Sequence, residues 1–253
     1  MNIAGIIFAC ILLIRLNAHL ELGLFPESQC GFRRHRGSID MIFAARQLQV
    51  KCQDMWAHLY TTFVYLTKAF DTVSYDGLWK GMQEFGCPER FTHMMRQLHD
   101  GMTVRVTDSG MVSEALAMTN GVKQGGVLVH TLFSFMFSVM LTDAYHDELS
   151  GIRIAYRLDC RLLNQQRIHL RSRVSTTTIH ELLFSNDCAL NTATEEEMQR
   201  SMDHFAAAYY KFRIHINTDK MEVMHQPPPN TIHTAAHINV NGTQLKSVYT
   251  FHT

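Results

Sequence analysis

The stretch Phe63-Val64-Tyr65-Leu66-Thr67-Lys68-Ala69-Phe70-Asp71 runs from β-branched and aromatic residues into a turn, and the rest of the chain is read outward from it. Thr61 to Leu66 predicts a short strand. Three further segments follow in order. Asn120-Gly121-Val122-Lys123-Gln124-Gly125-Gly126 is a glycine-containing loop leading into an apolar helix around Leu132 to Leu141. Phe184-Ser185-Asn186-Asp187 falls at a tight hairpin between Ile179 to Phe184 and Cys188 to Leu190. Ile214-His215-Ile216-Asn217-Thr218-Asp219-Lys220-Met221-Glu222 follows a helix.

Between these segments the periodicity alternates irregularly. Ser38 predicts the cap of a helix with Ile39, Ile42, Phe43 and Leu48 on one face. Ser74 opens a helix through Leu78, Trp79, Met82 and Phe85 that stops at Gly86; a second carries Phe91, Met94, Met95 and Leu98 towards Gly101. Thr194-Glu195-Glu196-Glu197 has the form of a capping box before Met198, Met202, Phe205 and Tyr209. Hairpins are expected around Asp108-Ser109-Gly110 and Asn241-Gly242, with Pro227 to Asn230 as a linker. Hairpins without repeated β-α-β units predict an α+β fold, an antiparallel sheet covered by helices on one face.

Composition bounds the function. The 253 residues are 46% hydrophobic and 18% charged, enough for one large core and unlike a disordered chain. Lys+Arg and Asp+Glu both count 23, which argues against a dedicated nucleic-acid coat. Arg153, Arg157, Arg161, Arg167, Arg171 and Arg173 share a stretch with one acid, Asp159, either a solvated face or a strip for phosphates. Six scattered cysteines and no H-E-x-x-H predict reduced thiols of an intracellular protein, with no zinc site. Ile3 to Ile14 is a twelve-residue apolar run, shorter than the roughly 20 residues of a span, so a buried helix is expected, with no membrane partner and no targeting signal.

In their order, these segments resemble the reverse transcriptase domain of non-LTR (LINE-like) retrotransposons, from near Ile11 to the carboxyl end. Gly31-Phe32-Arg33 with Arg36-Gly37-Ser38 looks like the family's fingers motif. Gly121-Val122-Lys123-Gln124-Gly125 before Leu132-Phe133 looks like its G-V-x-Q-G motif, and Lys68-Ala69-Phe70-Asp71 like the end of its first palm motif. The resemblance implies a right-hand polymerase: fingers over 1–58, a palm with interleaved fingers segments over 59–226, and a linker with a truncated primer-grip-like hairpin over 227–253, the thumb missing. It implies an RNA template, a DNA primer, a deoxynucleoside triphosphate and two Mg2+ ions that activate the primer hydroxyl and neutralise the leaving pyrophosphate.

Here the sequence departs from the pattern. The family's metal aspartates belong to F-x-D-x-x-x-A-F-D and Y-A-D-D. The first position is Tyr65 and the second Asn186, which leaves Asp187 as the catalytic and metal residue. A phenol titrates near 10 and is neutral at physiological pH; an amide offers one uncharged oxygen. A dication and a unit anion 4 Å apart attract by roughly 8 kcal/mol at an effective dielectric of 20, before desolvation. Losing two such anions predicts an inactive polymerase. Two other readings stand beside it: a non-catalytic nucleic-acid-binding module, and a residually active enzyme using Asp187 and Asp71.

By the same resemblance Phe70 packs beneath the incoming sugar, Gln124 and Gly125 lie against the nucleotide, Arg33 and Arg36 contact phosphates, and Lys220 assists pyrophosphate departure. Read without it, Phe70 is a core residue, Gly125 part of a helix-entry turn, and the three cations exposed surface groups.

Overall fold

A computed structural model describes residues 3–20, 28–31, 33, 35–122, 126–144, 150–157, 174–184 and 187–249. The amino-terminal part holds α1 (Ile3–Leu20), α2 (Ser38–Asp54), β1 (Leu59–Val64), β2 (Leu66–Thr67), α3 (Tyr75–Glu84) and α4 (Glu89–His99). Four two-residue strands follow: β3 (Thr103–Val104), β4 (Thr107–Asp108), β5 (Met111–Val112) and β6 (Leu116–Ala117). After α5 (Val129–Ala144) come β7 (Ile152–Arg157), β8 (Val174–Ile179), β9 (Glu181–Phe184), β10 (Asp187–Thr192) and α6 (Glu195–Lys211). The chain continues through β11 (His215–Ile216), β12 (Glu222–Gln226), β13 (Asn239–Val240), β14 (Thr243–Gln244) and β15 (Lys246–Val248).

The main sheet has the order β15-β12-β1-β10-β9, antiparallel except where β15 runs parallel to β12. The predicted α+β class holds. Period-two alternation gives β1 two different faces. Tyr60 and Val64 enter the large core with α3, α4, α5 and α6. Leu59 turns the other way, to a smaller cluster with Leu48 and Cys52 of α2. Helices therefore cover one face fully and α2 crosses part of the other. Leu132, Phe133, Phe135, Met136, Phe137 and Met140 of α5 are all fully buried, as expected of a helix apolar all round.

Local signals in the sequence set many boundaries. Ser74 Oγ accepts from the Gly77 amide at 3.4 Å and Thr194 Oγ1 from the Glu197 amide at 3.2 Å. Ser109 (φ 47°) with Gly110 (φ 83°), and Asn241 (φ 51°) with Gly242 (φ 80°), make the two hairpin turns.

Four expectations need correction. The strand expected over Thr61 to Leu66 divides at Tyr65, because Leu66 and Thr67 pair with β11 outside the main sheet. Asp187 is not at the hairpin tip: it begins β10 and pairs with Phe184. Ser38 is the first residue of α2, not its cap; Asp40 accepts from the Gly37 amide at 2.7 Å, and Ile39, Ile42 and Phe43 are exposed. The apolar run at the amino terminus extends to an 18-residue helix that buries only Ala9, Leu12, Leu16 and Leu20. With a mean hydropathy of 2.0 it has the length and composition of a membrane-crossing helix, so the shortness of the run no longer argues against a span. Its Leu12, Leu16 and Leu20 nevertheless lie in the main core.

Candidate functional site

On the face of the sheet turned towards α2 lies a cavity of about 630 Å3. Thr61 and Phe63 of β1, Ala189 and Asn191 of β10, Phe184 of β9 and Met224 of β12 form its floor; Met41, Ile42, Ala45 and Arg46 of α2 form a wall. Thr61 Oγ1 donates to Asn191 Oδ1 at 3.0 Å, and Gln226 Nε2 donates to the Gln49 carbonyl at 3.1 Å, tying α2 to the sheet.

Tyr65 and Asp187 both line this cavity. Val64 pairs with Cys188, the last pair of β1 and β10, and Tyr65 and Asp187 are the residues next to that pair in the two segments. The Tyr65 carbonyl accepts from the Asn217 amide at 2.9 Å, which draws the chain from β1 towards β11. Its side chain is 42% exposed in the cleft. Asn186 lies outside the described residues, as do Gln124, Gly125 and most of the arginine stretch.

Burial pushes the Asp187 carboxyl above the ordinary aspartate range. Beside it the Cys188 thiol is pushed well up, first by burial and then by Glu181 and Asp187, so it stays protonated. A second acid that the sequence reading missed, Glu222, lines the same cavity opposite Phe63. The alternation that puts Glu222 and Met224 on one face was the signal for it. Glu222 sits across β1 from Asp187, about 12 Å away by two strand spacings across and two residues along, and its carboxylate is held by Lys246 Nζ at 2.7 Å.

Magnesium needs hard oxygens at about 2.1 Å in near-octahedral order. A phenol, one carboxylate and a second already bound to a lysine do not fit an Mg2+ pair. Among the described residues no group of three His, Cys, Asp or Glu side chains could hold a metal ion.

The remaining candidates are dispersed. Phe70 is half-buried, its ring 4.7 Å from Phe133 and 6.0 Å from His130 between centroids, at the margin of the core. Asp71 stands in the following turn and does not line the cavity. The Val122 amide donates to the Phe70 carbonyl and the Gly121 amide to that of Val73, which knits the glycine loop to this turn. Arg33 Nη1 donates to the Gln29 carbonyl at 3.3 Å, near where Gln29 bridges Leu183 of β9. Neither Arg33, Arg36 nor Lys220 lines the cavity; Lys220 ends a 3-10 turn from Thr218.

Residues 7–245 match the family described as reverse transcriptase (RNA-dependent DNA polymerase), and the chain belongs to that family. Among solved structures it is similar to apo telomerase from Candida tropicalis truncated from its C-terminal domain, with a TM-score of 0.58 and 13% identity over 87% of this chain and 40% of that one. Telomerase from Candida albicans in complex with a TWJ fragment of telomeric RNA gives 0.58 and 12% over 93% of this chain and 36% of that one. These identities show a shared fold. The chain spans well under half the length of the telomerase chains it matches. Curated proteins give no match.

Proposed function

We propose that this chain is the reverse transcriptase domain of a non-LTR (LINE-like) retrotransposon that has lost nucleotidyl transfer. In this reading 1–58 serve as fingers, 59–226 as a palm with interleaved fingers segments, and 227–253 as a linker and primer-grip-like hairpin. Its partners by descent are an RNA template, a DNA primer and a deoxynucleoside triphosphate, within the cell. The observation that carries the reading is that a phenol, Tyr65, and Asp187 of β10 line one cleft, where metal chemistry calls for carboxylates from both strands. Glu222 offers no rescue while it holds Lys246. Asp71 offers none from outside the cavity.

The experiment is primer extension on an RNA template with Mg2+ or Mn2+, set beside Mn2+ titration of the chain and of its double reversion Tyr65→Asp, Asn186→Asp. No extension above an Asp187→Asn control is expected, with Mn2+ affinity rising at least tenfold on reversion. Extension by the unaltered chain that Asp187→Asn abolishes would overturn the proposal.

A non-catalytic nucleic-acid-binding role has one observation in its favour: Phe63, Tyr65 and Phe184 present aromatic side chains in the cleft, and bases stack on such surfaces. The cleft's charge works against it, since among the described lining residues Arg46 is the one cation beside Asp187 and Glu222.

A further inference from the structure

A second cavity, of about 470 Å3, lies away from the cleft, between α1 and the start of α4. Arg15 and the His19 ring come from α1 and Arg90 from the first turn of α4, and among the described residues no carboxylate lines the cavity. His19 Nε2 is bonded to the Phe85 carbonyl at 3.2 Å, which fixes that ring at the rim. Among the described residues neither guanidinium makes an ion pair. The rest of the lining is mostly apolar, with Leu16, Cys87, Phe91 and Met94. Burial pushes the Cys87 thiol to about 11, so this part of the wall is uncharged at neutral pH.

An exposed apolar stripe leads along α1 from the cavity's Arg15. Positions 7, 11, 15 and 19 form one i,i+4 stripe along α1. Ile7 and Ile11, two turns and one turn before Arg15, are 56% and 46% exposed. A cationic rim, an apolar interior and an adjoining apolar stripe together match a molecule with an anionic head and an alkyl tail. The volume falls in the range of small-molecule sites, about 300–1,000 Å3.

We infer that this cavity binds an amphipathic anion, an acyl chain ending in a carboxylate or phosphate, with Arg15 and Arg90 on the head and the tail along Leu16, Phe91 and the Ile7–Ile11 stripe. Bidentate hydrogen bonding to two guanidinium groups suits either head group. The free acid and a membrane lipid share this chemistry.

The test is calorimetric titration of the full chain with laurate below its micelle concentration, against dodecyltrimethylammonium, which has the same tail and the opposite charge. Saturable laurate binding that falls at least tenfold in Arg15→Glu/Arg90→Glu, with no saturable binding of the cation, supports the site. Both arginines lie at the rim, and an unchanged circular dichroism melt verifies the fold of that variant. Methyl NMR of Met94 supplies a readout independent of folding, its signal shifting with laurate in the unaltered chain. Phosphatidylserine vesicles that displace laurate indicate a lipid source; vesicles that leave it bound indicate the free acid. No saturable binding, equal binding of the cation, or unaltered affinity in the arginine variant overturns the inference.

Discussion

Gly121 lies where two segments of backbone meet. Its φ is +85°, and a Cβ there would stand 2.7 Å from the Asp71 carbonyl oxygen, a backbone atom with no rotamer to yield. Gly121→Ala should therefore destabilise the chain by about 1–3 kcal/mol, measured by urea unfolding. If its stability equals that of the unaltered chain, the loop and the turn are not joined as described. The sequence marked this glycine through its motif and gave no sign of the contact with Asp71, fifty residues earlier. Tyr65 was legible in the opposite sense. Its chemistry could be read directly, while the break in the strand depends on an amide contributed by Asn217.

Between elements, the histidines of β12 and its neighbours make a latch. His58 Nδ1 and His225 Nε2 are 2.9 Å apart, and His225 Nδ1 lies 2.9 Å from the Thr234 carbonyl, so it donates there and its Nε2 accepts from His58. Burial holds the His225 imidazole below its ordinary 6.5, with His58 and His233 acting in the same direction and the Thr234 carbonyl and Glu195 opposing. The sign follows from proton uptake. The unfolded chain takes a proton near 6.5 that the folded chain refuses, so this contribution is full above 6.5 and is lost as pH falls towards the lowered folded value. His225→Asn should cost about 1–3 kcal/mol at pH 7.5 and shrink the loss of stability between pH 7.5 and 5.5, both read from urea melts. An undiminished pH dependence would assign the titration elsewhere. Caps and hairpin turns were legible because their donors lie within four residues. The face of α2 was not. Ile39, Ile42 and Phe43 recur at helical spacing, but periodicity identifies a stripe without saying what covers it, and here Leu48 and Cys52 carry the packing.

Across the whole molecule, α1 shows what an apolar helix contributes when only one side is docked. Leu16 is 1% exposed in the main core and Ile14 is 68% exposed. Leu16→Ala should cost about 2–5 kcal/mol and Ile14→Glu about 0.5 kcal/mol or less, compared by thermal or urea melts. Similar losses at both positions would mean that the outer face is covered in solution. Family and fold class were legible because they rest on the order of motifs spread along the chain. The acid that accompanies Asp187 in the cleft was not, since Glu222 reaches it only through the register of β12 on β1. Neither was the basic cavity, whose arginines are 75 positions apart in the chain.

The parallel seating of β15 on β12 carries a consequence for shortened forms. Ser28 and Cys30 bond to Leu183 at one border of the sheet, and Lys246 to Val248 occupy the other. A chain cut after Pro229 would bare the hydrogen-bonding groups of Val223 and Met224 along an open margin. Such a margin recruits strands from other molecules. The apparent molar mass from light scattering should then rise with protein concentration for the shortened chain and stay flat for the full one.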